Sequence, residues 1–228
     1  DGSDWALPVA ASLYDDFNDN SINFSKWLTP EYPSWMTVME TSERLEIAHA
    51  SDAHESPGED SWGSNFESRC MLVGDFDVQV DFELVAWPDG ASNPNGGNYG
   101  NGVRMALVTN TGSLTRSSWG PDPSLFPGDV QTYYFSGGEG DETSLSIGDI
   151  SGSHELGGLR LERAGTSLNG YFQENPGGDW VTIGNVDATT EPTFVALNSW
   201  SHDELFAGKE VVVAFDNLIV SAESIVCP

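Results

Sequence analysis

Positive charge is what this chain has least of. Only 8 Lys plus Arg stand against 36 Asp plus Glu, a formal net charge of -28 over 228 residues. Such a surface repels phosphate backbones and anionic lipid heads, and no basic stripe interrupts it, so nucleic acid and membrane-surface partners are excluded. No apolar run reaches the roughly 18 residues that a membrane-spanning helix needs. Histidine is scarce as well: His49, His54, His154 and His202 include no pair at a zinc-site spacing. The two cysteines, Cys70 and Cys227, lie far apart with no second cysteine near either, which excludes a cysteine metal cluster. There is no Gly-x-Ser-x-Gly elbow, and the glycine-rich stretches lack the lysine and helix start of a phosphate cradle. A long, capped segment of helical period is missing too, and so is any internal repeat. The opening DGSDWALPVAAS has neither a charged start nor an apolar core, and is read as a mature end from which an export signal is gone.

What is present is apolar and aromatic. At 38% hydrophobic and 11% aromatic residues, the chain is too rich in core formers to be a disordered acidic polymer, so the acids must coat a folded body. Self-repulsion of such a coat is relieved by salt or divalent cations, which fits a saline habitat. No composition shift marks a linker, and the expectation is one domain over 1–228, with an N-terminal extension at 1–11 and a C-terminal tail at 221–228.

Period two dominates. Phe76, Val78, Val80, Phe82 and Leu84 alternate with Asp75, Asp77, Gln79, Asp81 and Glu83, a strand packed on one side and wet on the other. A hairpin is expected across Ser42-Glu43, joining 35–41 to 45–50. Further strands are expected at 65–73, 103–109, 130–135, 180–184, 193–200 and 210–220. Loops are expected at 88–102, PDGASNPNGGNYGNG, and at 110–129, NTGSLTRSSWGPDPSLFPGD, where Trp119 and Phe126 stand among turn residues. In LGGLRLERAGTSLNGYF, 156–172, Leu159 and Leu161 alternate with Arg160 and Glu162. Gly165 supplies a turn, and Leu168, Gly170 and Phe172 resume the alternation.

That hairpin, the Asp179-Trp180 pair after it, the closing VVVAFDNLIV of 211–220 and the opening LYDDFNDNSINFSKW of 13–27 together resemble the concanavalin-A-like lectin and glucanase superfamily. In particular they resemble the laminin-G-like jelly-roll domains of secreted bacterial proteins. The resemblance implies an all-β, two-sheet antiparallel jelly-roll sandwich, and a protein that is secreted or at the cell surface, alone or beside other domains of a larger protein. In that setting Cys70 and Cys227 are expected to form a disulfide, with two unpaired thiols as the alternative. Trp27 and Trp180 fall where such domains place packing residues.

The same resemblance implies a structural calcium where the first and last strands lie side by side, with Asp216 as chief ligand and Asp16, Asp19 and Glu46 behind it. The alternative is that these are turn and surface acids. It also implies a polysaccharide or oligosaccharide partner. Sugar binding needs aromatic rings to lie on C–H faces, with amides and charged groups to bond hydroxyls. Tyr99, Arg104, Trp119, Tyr133, Asn198 and Trp200 are the candidates, each with a packing role as its rival. The leading expectation is a non-catalytic binding domain. The alternatives are a glycoside hydrolase or polysaccharide lyase, and a calcium-stabilised structural or adhesive surface protein. For hydrolysis, Asp81 and Glu83 have the two-apart spacing that places carboxyls on one face, and Glu67 is a third candidate. The Glu-x-Asp-x-x-Glu signature of the superfamily's glucanases and the Arg, Gln-x-His and Tyr-x-Lys elements of its lyases are missing.

Overall fold

The alternating stretch at 75–84 sets the architecture. In the computed structural model, which describes residues 11–28, 35–50, 61–87, 102–109, 111–119, 130–137, 143–147, 155–202 and 210–228, it belongs to a 16-residue strand, β6 (Met71–Ala86). Its five apolar side chains are all buried. Against it lies a second 16-residue strand, β15 (Val211–Val226), and these two form the spine of one sheet. On one flank follow β11 (Leu156–Ala164), β12 (Ser167–Gln173) and β13 (Val181–Asp187). On the other are β4 (Arg44–His49) and β3 (Met36–Thr41), with β1 (Ala11–Asp15) pairing the far half of β15.

The second sheet runs β10 (Thr143–Ile147), β9 (Val130–Gly137), β8 (Gly112–Trp119), β7 (Gly102–Thr109), β14 (Ala196–His202), β5 (Ser61–Ser68) and β2 (Trp27–Leu28). Every strand pairing is antiparallel, and no helix occurs among the described residues. The expected all-β jelly-roll sandwich is the fold. Its core fills the space between the layers: Val78, Val80, Phe82, Leu159, Leu161 and Phe215 from the first sheet meet Phe66, Leu114, Phe135 and Leu197 from the second. Trp27 seals one end, its ring stacked on Phe66 at 4.5 Å and tilted against Phe17 at 5.8 Å.

Local chemistry explains the turns. Between β3 and β4, Ser42 and Glu43 both take positive φ, 55° and 62°, the pair of left-handed residues that a two-residue hairpin needs to match strand twist. The stretch expected as one strand at 65–73 is instead broken at Arg69 and Cys70, where the chain passes from the second sheet to the first. Much of the expected loop at 110–129 is strand β8. Its Leu114 packs in the core while serines and threonines alternate with it, a pattern with too few apolar residues to read as period two. The segment expected as a tail, 221–228, is strand as far as Val226. Beyond it Cys227 is bonded to Cys70 with Cα atoms 4.2 Å apart. Residues 1–10 of the expected N-terminal extension lie outside the described residues, and Ala11 already belongs to β1.

Candidate functional site

Register turns the second sheet into a ruled surface. Asn198 on β14 stands opposite Asn65 on β5 and Ala106 on β7, Ala106 opposite Thr115 on β8, and Thr115 opposite Tyr134 on β9. Since Phe66, Leu197, Leu114 and Phe135 point into the core, the alternate residues Asn65, Asn198, Thr115 and Tyr134 face outward. The next rung reads Gly63, Trp200, Arg104, Ser117 and Thr132. Each rung from β5 to β9 crosses four strand intervals, about 19 Å. Four of the six residues expected to bind sugar belong to this sheet: Asn198, which faces outward, and Trp200, Arg104 and Trp119, which stand in register on β14, β7 and β8.

The chemistry along the rungs is that of amides and hydroxyls. Asn198 Nδ2 donates to Asn65 Oδ1 at 2.9 Å, which fixes the two amides relative to each other. Thr115, Ser117 and Thr132 are buried although they lie on the outer face, at 3%, 1% and 5% exposure. Ser117 Oγ has no hydrogen-bond partner among the described residues. A buried hydroxyl left so costs roughly 1–3 kcal/mol.

Two aromatic assignments need correction. Tyr133 does not bind ligand: it is one position out of phase with the outer face and wholly buried, stacked on Phe172 at 4.0 Å. Burial pushes its phenol up to about 12. Arg116 packs beside it inside the sandwich, its guanidinium 5.5 Å from the ring centroid. The neighbouring Tyr134 is the outward tyrosine, and nothing in the Tyr-Tyr pair itself tells which is which. Trp180 is not a core residue. It is half-buried and walls a cleft on the outer face of the first sheet. Tyr99 lies outside the described residues.

The catalytic candidates separate. Glu67 is on the second sheet's outer face, opposite Ala196 and Leu28. Asp81 and Glu83 are on the opposite side of the molecule, the outer face of the first sheet. There Glu83 is held by Arg44, which also pairs with Glu46 at 2.7 Å. Asp81 accepts from Gln173 Nε2 at 3.3 Å and from Asn217 Nδ2 at 3.1 Å. Desolvation raises its pKa, against the pull of those two donors. Asp77 is clamped by Arg160 through two bonds of 2.8 and 2.7 Å, and Asp75 caps the Gly165 amide at 2.6 Å. These are structural duties for acids that spacing alone made eligible as a catalytic pair.

The four residues expected to hold calcium do not converge. Glu46 belongs to the Arg44 pair. Asp19 accepts from the Ser21 amide at 2.9 Å, beside Glu40. Asp16 accepts from Asn18 at 2.7 Å, and Asp216 stands opposite Asp81, its pKa raised chiefly by burial. Among the described residues no three His, Cys, Asp or Glu side chains form a metal-holding group, so these four do not fit one calcium shell.

No protein-family model matches the sequence, and no curated protein matches it. Solved structures do. The fold is similar to that of a GlcNAcα1-4Gal-releasing endo-β-galactosidase from Clostridium perfringens, with TM-score 0.60 and 14% identity over 95% of this chain. This chain spans 63% of that enzyme's length. It is similar also to LamA from Zobellia galactanivorans, solved with laminaritriose and laminaritetraose, with TM-score 0.56 and 11% identity over 95% of this chain and 100% of that one. An alginate lyase from Klebsiella pneumoniae follows at TM-score 0.52 and 12% identity, covering 86% of each chain. At such identities the likeness establishes the concanavalin-A-like jelly-roll fold and leaves the chemistry to the site.

Proposed function

We propose that this chain binds a polysaccharide across the outer face of its second sheet, as a non-catalytic domain of a secreted or cell-surface system. The observation that carries the reading is the pair of adjacent rungs. One presents Asn65, Asn198 and Tyr134 over the buried Thr115, and the next sets the buried Ser117 and Thr132 in register with Trp200 and Arg104. Amides and hydroxyls supply the mixed donors and acceptors that vicinal sugar hydroxyls require, and aromatic rings supply the flat apolar patches that C–H faces require. Several proteins of the same fold act on or hold polysaccharides by their titles, which supports the substrate class. The disulfide supports an oxidising, extracellular setting. Affinity electrophoresis in gels holding laminarin, xylan, agarose or alginate tests the reading. At least one glycan should retard the wild type, and Trp200→Ala or Asn198→Ala should abolish the retardation; full retention in every variant contradicts the assignment.

A second reading, cleavage of that polysaccharide, is favoured by Glu67 at the end of the same face and by the enzymes among the similar structures. Hydrolysis by the usual route needs two carboxyls flanking the bond, and Glu67 has no second carboxylate beside it on the described part of this face. Release of reducing ends that stops in Glu67→Gln would establish cleavage. Binding without release in the wild type would leave the non-catalytic reading in place.

A further inference from the structure

The first sheet has a built surface of its own, on the side of the molecule away from the second sheet. At its centre a hydrogen-bonded relay links side chains from four strands. Tyr14 Oη on β1 donates to Asn217 Oδ1 at 3.2 Å. Asn217 Nδ2 on β15 donates to one oxygen of Asp81 on β6, and Gln173 Nε2 on β12 donates to the other. Two local devices shape the relay, whose Asn217 end is exposed and whose Gln173 end is buried. Asn217 is left-handed, at φ 51°, inside a bulge where β15 and β6 shift register between Asp216 and Ile219. Gly158 lies beneath Gln173, and a Cβ there would sit 2.5 Å from Gln173 Nε2, so only glycine lets the amide lie across β11 to reach Asp81.

Clefts of about 320 and 340 Å³ adjoin this relay and share Asp81 and Asn217. One is walled by Trp180 and by Gly177 and Gly178 of the 174–180 loop, with Gln79 and Ile219 in its lining. Gly177, at φ +76°, makes the turn that brings that loop over the sheet. Tyr14, half exposed, stands opposite Ile219 of that lining and bonds to Asn217, which both clefts share.

We infer that this cleft pair is a second carbohydrate-binding site, taking uncharged saccharide units between Trp180 and Tyr14 over the Asn217–Asp81–Gln173 relay. Each Asp81 oxygen keeps a lone pair for a sugar hydroxyl, and the two amides keep donors and acceptors of their own. Trp180 and Tyr14 offer ring surface at the two margins. The charge balance selects against acidic sugars. Arg44 is taken by Glu46 and Glu83, and Arg160 by Asp77 and Glu162, so the cations near the clefts are already paired while the carboxylates outnumber them. The site stands apart from the second-sheet face and does not rest on it.

Calorimetric titration of laminaritetraose, xylotetraose, neoagarotetraose and an alginate tetrasaccharide into the full chain tests the inference. Variants Trp180→Ala, Trp180→Phe, Asn217→Ala and Trp200→Ala are run beside the wild type, with circular dichroism as the check of folding. A neutral tetrasaccharide should bind, Trp180→Ala and Asn217→Ala should each weaken one class of site about tenfold, and Trp180→Phe should stay within about threefold. Trp200→Ala should leave that class untouched. Loss in Trp180→Ala alone, with Trp200→Ala silent, supports this site and removes the second-sheet reading. Folded Trp180→Ala and Asn217→Ala proteins that bind as the wild type does, a preference for the alginate fragment, or no binding of any neutral probe would overturn the inference.

Discussion

Two buried titratable groups pull the pH dependence of stability in opposite directions. Glu40 lies beside Asp19. Burial raises its pKa most, the Ser21 amide donating to its carboxylate at 2.9 Å draws it back, and the Asp19 hydrogen bond and charge raise it again, to about 7. A carboxyl that keeps its proton longer when folded contributes most at low pH, and that contribution is lost as pH rises from the unfolded value near 4.5 to about 7. Glu40→Gln should therefore stabilise the chain at pH 8, on the order of 1–2 kcal/mol, and do little at pH 4, measured by urea melts at both. His49 works the other way. Burial against Trp35, 6.0 Å away, lowers its pKa from 6.5 to about 3. Stability from the neutral ring is complete above pH 6.5 and lost as pH falls toward 3, so His49→Phe should flatten the acid limb of the same melts; an unchanged limb would clear His49 of the role. At this scale the sequence is least legible. Tyr133 and Tyr134 differ by one position on a strand of period two, and that one step exchanges core for surface. Trp180 carries no neighbour pattern that separates a packing ring from a cleft wall.

Strands are legible where large apolar residues alternate with charge, as in β6, or where a turn signal interrupts alternation, as at Gly165 between β11 and β12. They are illegible where both faces are small and polar. The rung-forming strand β8, GSLTRSSW, reads as loop because Ser117 and Thr115 are buried without being apolar. Register across seven strands is a tertiary fact. The sequence nominates Arg104, Asn198 and Trp200 singly, and only the pairing of β7 with β14 sets them side by side. Between the two layers a glycine is required at Gly170 of β12, where a Cβ would meet the Phe135 ring at 2.8 Å. Gly170→Ala should cost about 1–3 kcal/mol through overpacking, read as a lower urea midpoint at unchanged slope. A neutral result would mean the layers can separate there.

For the whole molecule, the acidic coat and the disulfide set the conditions of stability. With a net charge of -28, self-repulsion in the folded state should be screened by salt, so the melting temperature should climb between 10 mM and about 500 mM sodium chloride. A flat titration would show the acids to be already compensated. Cys70–Cys227 ties the end of β15 to the start of β6 across 157 positions. Replacing both cysteines by alanine should cost roughly 2–5 kcal/mol, chiefly by freeing the unfolded chain. At the scale of the whole molecule, glycan binding means a chain laid across the rungs of the second sheet. Amide chemical-shift mapping on titration with the glycan that best retards the protein tests it most directly. Shifts concentrated at Asn65, Thr115, Ser117, Thr132, Tyr134 and Asn198 are the predicted result, and shifts that spare these residues altogether would contradict it.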